Sequence, residues 1–245
     1  MKLIYPNNLD TVGEPLETAS GFPAANLLTS HLLEGFKATS TGAPVTLEFQ
    51  INGPSSALAL FGVDADQITV NLYSDAGRTA LHHQEVWNGL GINEFGQFKK
   101  NVLWTEYAEA PAIWGEAVFL CQSQATVKAG VLCVGPLHSF PNPSWGFDES
   151  GVDHSIRKRL KTGATYTKPK TIAYTGQGAV EFFHQTDRAK FEAFRWFRKT
   201  IGPEPFACLP LEIIGEAHWV SINGFKAVEG TRSHSTVTLT LEEYL

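Results

Sequence analysis

Short stretches in which apolar and polar residues alternate place the strongest constraint on how this chain folds. Residues 45–51 and residues 67–73 both alternate, which is the period of a strand with one buried face. Between them, residues 57–63 form a continuous apolar run, which is typical of a strand covered on both faces. Gly53 and Pro54 break the chain between the first two strands. This pattern predicts an antiparallel β-sandwich or barrel.

Glycine and proline cluster near the middle of the chain. Strand-like runs at residues 112–120 and 126–134 precede the cluster and are joined by a short polar stretch, which predicts a hairpin. Because the glycines and prolines then fall close together, we place a linker near residues 136–150. We therefore expect a mainly β protein with two β-sandwich domains, residues 1–137 and residues 138–245, the second carrying one α-helix.

That helix is predicted near residues 186–201. Its apolar residues fall on one stripe: Phe191, Phe194, Phe197 and Ile201. Thr186 can cap the N-terminus, and Gly202 with Pro203 ends the helix. Strand-like segments lie on both sides of it, at residues 171–175, 179–183, 206–214, 219–228 and 235–241.

Composition and charge narrow the class of protein. The formal net charge of −6 disfavours a nonspecific nucleic-acid binder. The apolar stretches are too short to span a bilayer, and residues 1–8 lack the apolar core of a secretory signal. The three cysteines form no paired spacing, which favours folding in a reducing cytoplasm. Cys121 and Cys133 lie in strand-like segments and are predicted to be small buried hydrophobes.

Motifs for catalysis are absent from the sequence. His82 and His83 are adjacent, so on a strand their side chains should point to opposite faces, and no other pair has metal-ligand spacing. No nucleophile elbow or phosphate loop occurs. Asp64 and Asp66 flank a strand end, where they could bind a cation or act on a sugar, or simply solvate a turn. We therefore predict no catalytic residue, no cofactor and no metal site.

Two segments of the second half are candidate interfaces. Arg157, Lys158, Arg159 and Lys161 form a basic patch that suits contact with nucleic acid or an acidic partner, or else a solvated loop or strand edge. In the last strand, Thr236, Thr238 and Thr240 share one face. If this strand lies at a sheet edge, a neighbouring copy of the chain could pair with it; the alternative is a central strand with a threonine face.

The six tryptophans leave two interpretations open. Exposed rings around a loop-lined groove of the first domain would suggest sugar binding by stacking, whereas buried rings belong to the core. A sugar-cleaving enzyme would instead need two carboxylates about 5 to 10 Å apart in a cleft. The sequence identifies no such pair.

Residues 21–28, Gly-Phe-Pro-Ala-Ala-Asn-Leu-Leu, precede a strand and then the run that ends in Phe61-Gly62-Val63. This order resembles a discoidin-like (F5/8 type C) jelly roll as it occurs in phage virion proteins. This copy has Phe36-Lys37-Ala38-Thr39 where the pattern leads us to expect a tryptophan.

The second half resembles phage tail-tube and distal-tail proteins. The similarity lies in Trp145-Gly146-Phe147-Asp148, in the basic patch with Gly163, and in the threonine-rich strand ending in Glu242-Glu243. It implies a β-sandwich flanked by a helix and a structural virion protein of the tail tip, made in the host bacterial cytoplasm and without a membrane span. The expected partners are copies of the chain in a ring, expected to be a hexamer, with the tail tube, the baseplate hub or tail fibres. The resemblance also leaves open the passage of DNA through the ring lumen. The alternative function is a carbohydrate-binding module used in host adhesion.

Overall fold

The computed structural model describes residues 1–16, 18–40, 42–88, 102–110, 113–122, 125–143, 147–153, 156–159, 165–168, 172–211, 216–230 and 233–244. The chain divides into two compact units. The first unit comprises Lys2–Ser139 and Phe206–Trp219, and the second comprises Met1, Phe140–Pro205 and Val220–Leu245. The predicted boundary at residues 137 and 138 stays a prediction.

The protein is mainly β, as predicted. The strands, in chain order, are β1 (Lys2–Ile4), β2 (Leu9–Val12), β3 (Phe36–Thr39), β4 (Val45–Ile51), β5 (Ser55–Phe61), β6 (Gln67–Tyr73), β7 (Leu81–Trp87), β8 (Val102–Ala110), β9 (Trp114–Leu120), β10 (Thr126–Ala129), β11 (Val131–Gly135), β12 (Leu137–Ser139), β13 (Asp148–Asp153), β14 (Ile156–Arg159), β15 (Thr165–Lys168), β16 (Ile172–Phe183), β17 (Phe206–Leu209), β18 (His218–Val228) and β19 (His234–Glu243). An α-helix, α1 (Arg188–Ile201), and two 3-10 helices, Ala24–Leu28 and Leu32–Glu34, complete the described elements.

The first unit is a β-sandwich. A five-stranded antiparallel sheet, in the order β2-β4-β9-β6-β7, supplies one layer, and a three-stranded sheet, β11-β5-β8, supplies another. The alternation in β4 and β6 buries one side of each strand, with Phe49 and Val70 fully covered, as the sequence predicted. Leu58, Leu60 and Leu132 from the three-stranded sheet belong to the same hydrophobic core.

The second face of β5 is also covered, which confirms the prediction for residues 57–63. Ala57, Ala59 and Phe61 are buried, and β1 and β12 contact β5. β1 pairs with β12 on one side and with β17 on the other. Residues 206–209, late in the chain, therefore help to complete the first unit.

The predicted hairpin between residues 112–120 and 126–134 is wrong. β9 pairs with β4 and β6, while the second run divides into β10, which pairs with β3, and β11, which pairs with β5. The two runs lie in different sheets, and each contributes buried residues to the same hydrophobic core. Their apolar content therefore reflects burial in that core and not pairing with each other.

The second unit contains an antiparallel sheet in which β16 pairs with both β13 and β19, and β19 also pairs with β18. Helix α1 packs on this sheet through its predicted stripe of buried residues: Phe191, Phe194, Phe197 and Ile201. The helix begins at Arg188 with Asp187 at the N-cap, so the predicted cap at Thr186 is wrong; the Thr186 hydroxyl instead donates to the Asp187 carboxylate at 2.9 Å. Gly202, with φ of 59°, ends the helix.

β19 is a central strand. It pairs with β16 along one side and with β18 along the other, so its backbone groups are already used. The interpretation of this strand as a free edge that pairs with a neighbouring copy is therefore wrong. The alternation itself is confirmed, because Val237, Leu239 and Leu241 are buried.

Candidate functional site

Polar side chains form a row across the outer face of the five-stranded sheet. Glu48 on β4 lies opposite Glu116 on β9, which lies opposite Asn71 on β6, which lies opposite Gln84 on β7. The Gln84 amide donates to the Asn71 side-chain oxygen at 2.8 Å. Glu48, Asn71 and Glu116 alternate with buried core residues, so the strand period directs them to the outer face, and Gln84 joins them through its hydrogen bond to Asn71.

Two carboxylates opposite each other in neighbouring strands repel, and here a cation lies between them. The Arg78 guanidinium donates through Nη2 to Glu48 Oε2 at 2.6 Å and through Nη1 to Glu116 Oε1 at 3.0 Å. Nη1 also donates to Glu48 Oε1, which makes the Glu48 pair bidentate. Hydrogen bonds to Glu48 and then Glu116 raise the pKa of Arg78 further above its usual value.

Two aromatic rings belong to the same group. The Tyr73 hydroxyl donates to Glu116 Oε2 at 3.1 Å, and the Arg78 guanidinium lies 5.3 Å from the centroid of the Trp114 ring. Burial, followed by the contact with Glu116, raises the pKa of Tyr73. We call Glu48, Tyr73, Arg78, Trp114 and Glu116 the Arg78 cluster.

A tight turn presents Arg78 to the sheet. Arg78 has φ of 56°, in the left-handed region that non-glycine residues seldom occupy. The Asp75 carboxylate accepts from the Ala80 N–H at 2.7 Å and from the Thr79 hydroxyl at 2.8 Å. The Ala80 hydrogen bond is the largest cause that lowers the pKa of Asp75. Asp75 therefore holds the turn in the conformation that brings the guanidinium over the strands.

A surface groove adjoins the cluster. It has a volume of about 390 Å³ and is lined by Gly13, Glu14, Pro15, Leu16, Pro44, Thr46 and Glu48. Glu48 belongs to both the groove and the Arg78 cluster. Glu14 is anchored at the groove because its Oε2 accepts from the Ala24 N–H at 2.8 Å. The Leu16 side chain is fully exposed at this surface.

This arrangement can bind a polar ligand. Carboxylates accept hydrogen bonds, amides both donate and accept, and the Trp114 and Tyr73 rings add flat apolar surface. The sequence did not reveal the pair of Glu48 and Glu116, because only strand register places residues 68 positions apart side by side. The signal that could have pointed to the site is the turn sequence Ser74-Asp75-Ala76-Gly77, which Arg78 directly follows.

The structure separates the predicted interface residues. Arg157, Lys158 and Arg159 lie on β14, which pairs with β15, and Lys161 lies outside the described residues. Thr238 is exposed on β19, and Thr236 and Thr240 are half-buried on the same face. Their role as an interface stays a prediction.

Asp64 and Asp66 have separate structural contacts. Asp64 forms an isolated bridge with Lys128, and burial raises the pKa of its carboxyl against the opposing effect of Lys128 and Lys37. The Asp66 carboxylate accepts from the Gln122 backbone N–H. These contacts favour the interpretation of both residues as parts of a turn.

His82 and His83 lie where the pairing of β7 with β6 is irregular. The β6–β7 register shifts at this place, since Leu72 pairs with His83 and Tyr73 pairs with Leu81. Both imidazole rings contact Tyr107, with centroid distances of 5.8 Å for His82 and 5.0 Å for His83, and the prediction that the two side chains point to opposite faces stays a prediction. Within the described part of the chain, no group of three or more His, Cys, Asp or Glu residues could hold a metal ion.

The cysteines and tryptophans fall mostly in or against the core. Cys121 and Cys133 are buried, as predicted, and burial raises the pKa of the Cys133 thiol to about 12. In the first unit Trp219 is buried, and the other described tryptophans, Trp87, Trp104 and Trp114, are half-buried. Trp196 of the second unit is 64% exposed. No described helix is long and apolar enough to cross a membrane.

Neither a family model nor a curated protein matches this chain. Among solved structures, the third CBM32 from a family 31 glycoside hydrolase of Clostridium perfringens has a TM-score of 0.43 at 9% identity, covering 54% of this chain and 94% of its own. The family 32 CBM of C. perfringens NanJ in complex with galactose has a TM-score of 0.41 at 11% identity, covering 56% and 100%. Reduced XRCC1 bound to the DNA polymerase β catalytic domain has a TM-score of 0.41 at 15% identity, and the match covers 57% of this chain and 99% of the XRCC1 chain. At these scores, the likenesses assign neither a family nor a ligand.

Proposed function

We propose that this protein is a non-catalytic carbohydrate-binding protein used in host adhesion, and that it binds its ligand at the Arg78 cluster and the adjoining groove. The observation that carries the proposal is the position of Glu48, which lines the groove while a bidentate hydrogen bond from Arg78 holds its carboxylate. A carboxylate held in this way accepts hydrogen bonds from ligand hydroxyls without first losing side-chain freedom.

The groove supplies the apolar contacts that a sugar ring needs. Pro15, Leu16 and Pro44 contribute aliphatic surface, and Thr46 adds a hydroxyl on the strand beside Glu48. The groove thus combines aliphatic surface with polar groups, both of which a small-ligand site uses. Catalysis is not part of the proposal, because both carboxylates of the candidate pair are engaged by the same guanidinium.

A glycan array followed by calorimetry on the full chain tests the proposal. Thr46 is exposed in the groove and lies on a strand, so Thr46→Trp fills the groove with a residue that strands accept. We expect binding of any array hit to weaken by about tenfold or more, the equivalent of about 1.4 kcal/mol. Thr126→Trp is the matched control, because Thr126 is an exposed strand residue that does not line the groove.

An array without hits contradicts the proposal. Equal weakening by Thr46→Trp and Thr126→Trp also contradicts it, since the groove would then have no special part in binding.

A second candidate function is the one that the resemblance implies, a ring-forming structural protein of a phage tail tip that links the tail tube to the baseplate hub or fibres. The observation that favours it is the second unit, in which a helix packs on a sheet of long antiparallel strands. In this proposal the protein is a virion component, copies of the chain contact one another, and DNA passes through the lumen.

Sedimentation analysis with negative-stain electron microscopy tests this second candidate. We expect rings at high concentration, and we expect Thr238→Arg to dissociate them by placing a charge on the exposed threonine face. Thr126→Arg is the control on the first unit. A chain that stays monomeric at every concentration and also fails to join purified tail tubes would exclude the ring.

A further inference from the structure

We infer that the proposed site selects uncharged pyranosides and excludes sugars that carry a carboxylate. The inference rests on the proposed carbohydrate binding and concerns the class of ligand. Glu48 and Glu116 share the Arg78 guanidinium, and Glu14 adds another carboxylate to the groove. Acidic groups therefore outnumber basic ones among the described residues of the cluster and the groove.

Two protein carboxylates already share the positive charge of the Arg78 guanidinium. A ligand carboxylate binds arginine most strongly through a bidentate pair. Both terminal nitrogens of Arg78 already donate to Glu48, and Nη1 donates to Glu116 as well. Any N–H group that remains would bind an acidic sugar only as a third carboxylate on the same guanidinium, beside Glu48 and Glu116, and the repulsion among the three carboxylates opposes that binding.

A neutral sugar avoids this cost. Its hydroxyls donate to the lone pairs of Glu48 that remain free of the guanidinium fork, because a carboxylate offers about four acceptor positions. Its C–H face can lie on the aliphatic surface of Pro15, Leu16 and Pro44. The ion pair between Arg78 and Glu48 then stays intact during binding.

Matched pairs of probes that differ only at C6 test the inference: methyl glucoside with methyl glucuronide, and methyl galactoside with methyl galacturonide. For wild-type protein at low salt, we expect the neutral member of a bound pair to bind at least about tenfold more tightly, since like charges brought together cost more than 1.4 kcal/mol. Raising the ionic strength should reduce this ratio.

Glu48→Gln should shift the preference. It removes one carboxylate and frees part of the Arg78 fork, so we expect the ratio to fall to about one or to reverse. Glu106→Gln is the control, because Glu106 lies on β8 and pairs with Lys2, and it should leave the ratio unchanged.

The outcomes separate the two proposals. Equal binding of both members by wild-type protein, or a ratio that Glu48→Gln does not change, overturns the inference and leaves carbohydrate binding in place. If neither member of either pair binds and the array is also empty, carbohydrate binding fails and the inference fails with it.

Discussion

Phe49 and Gly115 lie directly opposite each other on β4 and β9, and the Phe49 ring occupies the space that a side chain at position 115 would need. A Cβ placed on Gly115 would lie 2.2 Å from two ring carbons of Phe49. Phe49 itself is fully buried in the core of the first unit. Gly115, which directly precedes Glu116 in the chain, thus leaves the space that the buried Phe49 ring occupies.

Gly115→Ala should destabilise the protein. The added methyl group forces the Phe49 ring out of its position, and such overpacking costs about 1–3 kcal/mol. Gly13→Ala is the control, because a Cβ there meets its nearest neighbour at 3.5 Å, an ordinary contact. Urea unfolding of both variants gives the free energies, and an unchanged midpoint for Gly115→Ala would show that the ring relaxes without cost.

Removing Arg78 should lower the free energy of unfolding, and the loss should be smaller when Glu116 is also made neutral. With Arg78→Ala, Glu48 and Glu116 lose their shared cation, and we expect a loss of about 1–2 kcal/mol at low salt because the pair is bidentate and part of a network. Glu116→Gln in the Arg78→Ala background should recover part of that loss by removing the repulsion. A double-mutant cycle measures the coupling, and strictly additive effects would contradict the network.

Phe194 and Trp196 provide a matched pair on α1. Phe194 is buried and contacts Phe182 and Phe197 with ring centroids at 5.9 and 6.1 Å, whereas Trp196 is 64% exposed. We expect Phe194→Ala to cost about 3–5 kcal/mol of the free energy of unfolding. Trp196→Ala should change it by no more than about 0.5 kcal/mol. Thermal denaturation monitored by circular dichroism compares the two, and similar losses would contradict the packing of the helix.

The burial of His218 should lower the free energy of unfolding at acidic pH. Burial lowers the pKa of His218 to about 4 from its ordinary value of 6.5. The unfolded chain therefore takes up a proton before the folded protein does, and the free energy of unfolding should fall as the pH falls from about 6.5 towards 4. His218→Gln should flatten this part of the pH profile, while His31→Gln, at an exposed position, should not. Identical slopes for all three proteins would contradict the assignment.

The sequence predicted the elements whose burial pattern is regular. β4, β6 and the stripe of α1 follow from the spacing of their apolar residues, because the period of the apolar residues differs between strand and helix. The pairing of β9 with β4 and β6 was not predictable in this way, since neighbouring apolar runs can pair with each other or with distant strands.

Predicting the candidate site would have required the register between strands, which the spacing of apolar residues does not give. Alternation places Glu48 and Glu116 on the outer face, yet only the register between their strands makes them neighbours. The contacts of His82 and His83 with Tyr107 show the same limit, because periodicity does not predict which distant strand lies beside a residue.

The pairing of β1 with β17 determines how this protein can be dissected. A fragment that stops at residue 139 would lose β17 and with it the partner strand of residues 2–4. Ala207 and Cys208, which are buried in the intact chain, show that this edge is a packed surface and not a solvated one. Such a fragment would expose apolar surface that invites aggregation. A stable version of the first unit would therefore have to be engineered by grafting residues 206–219 back onto the fragment, not by simple truncation.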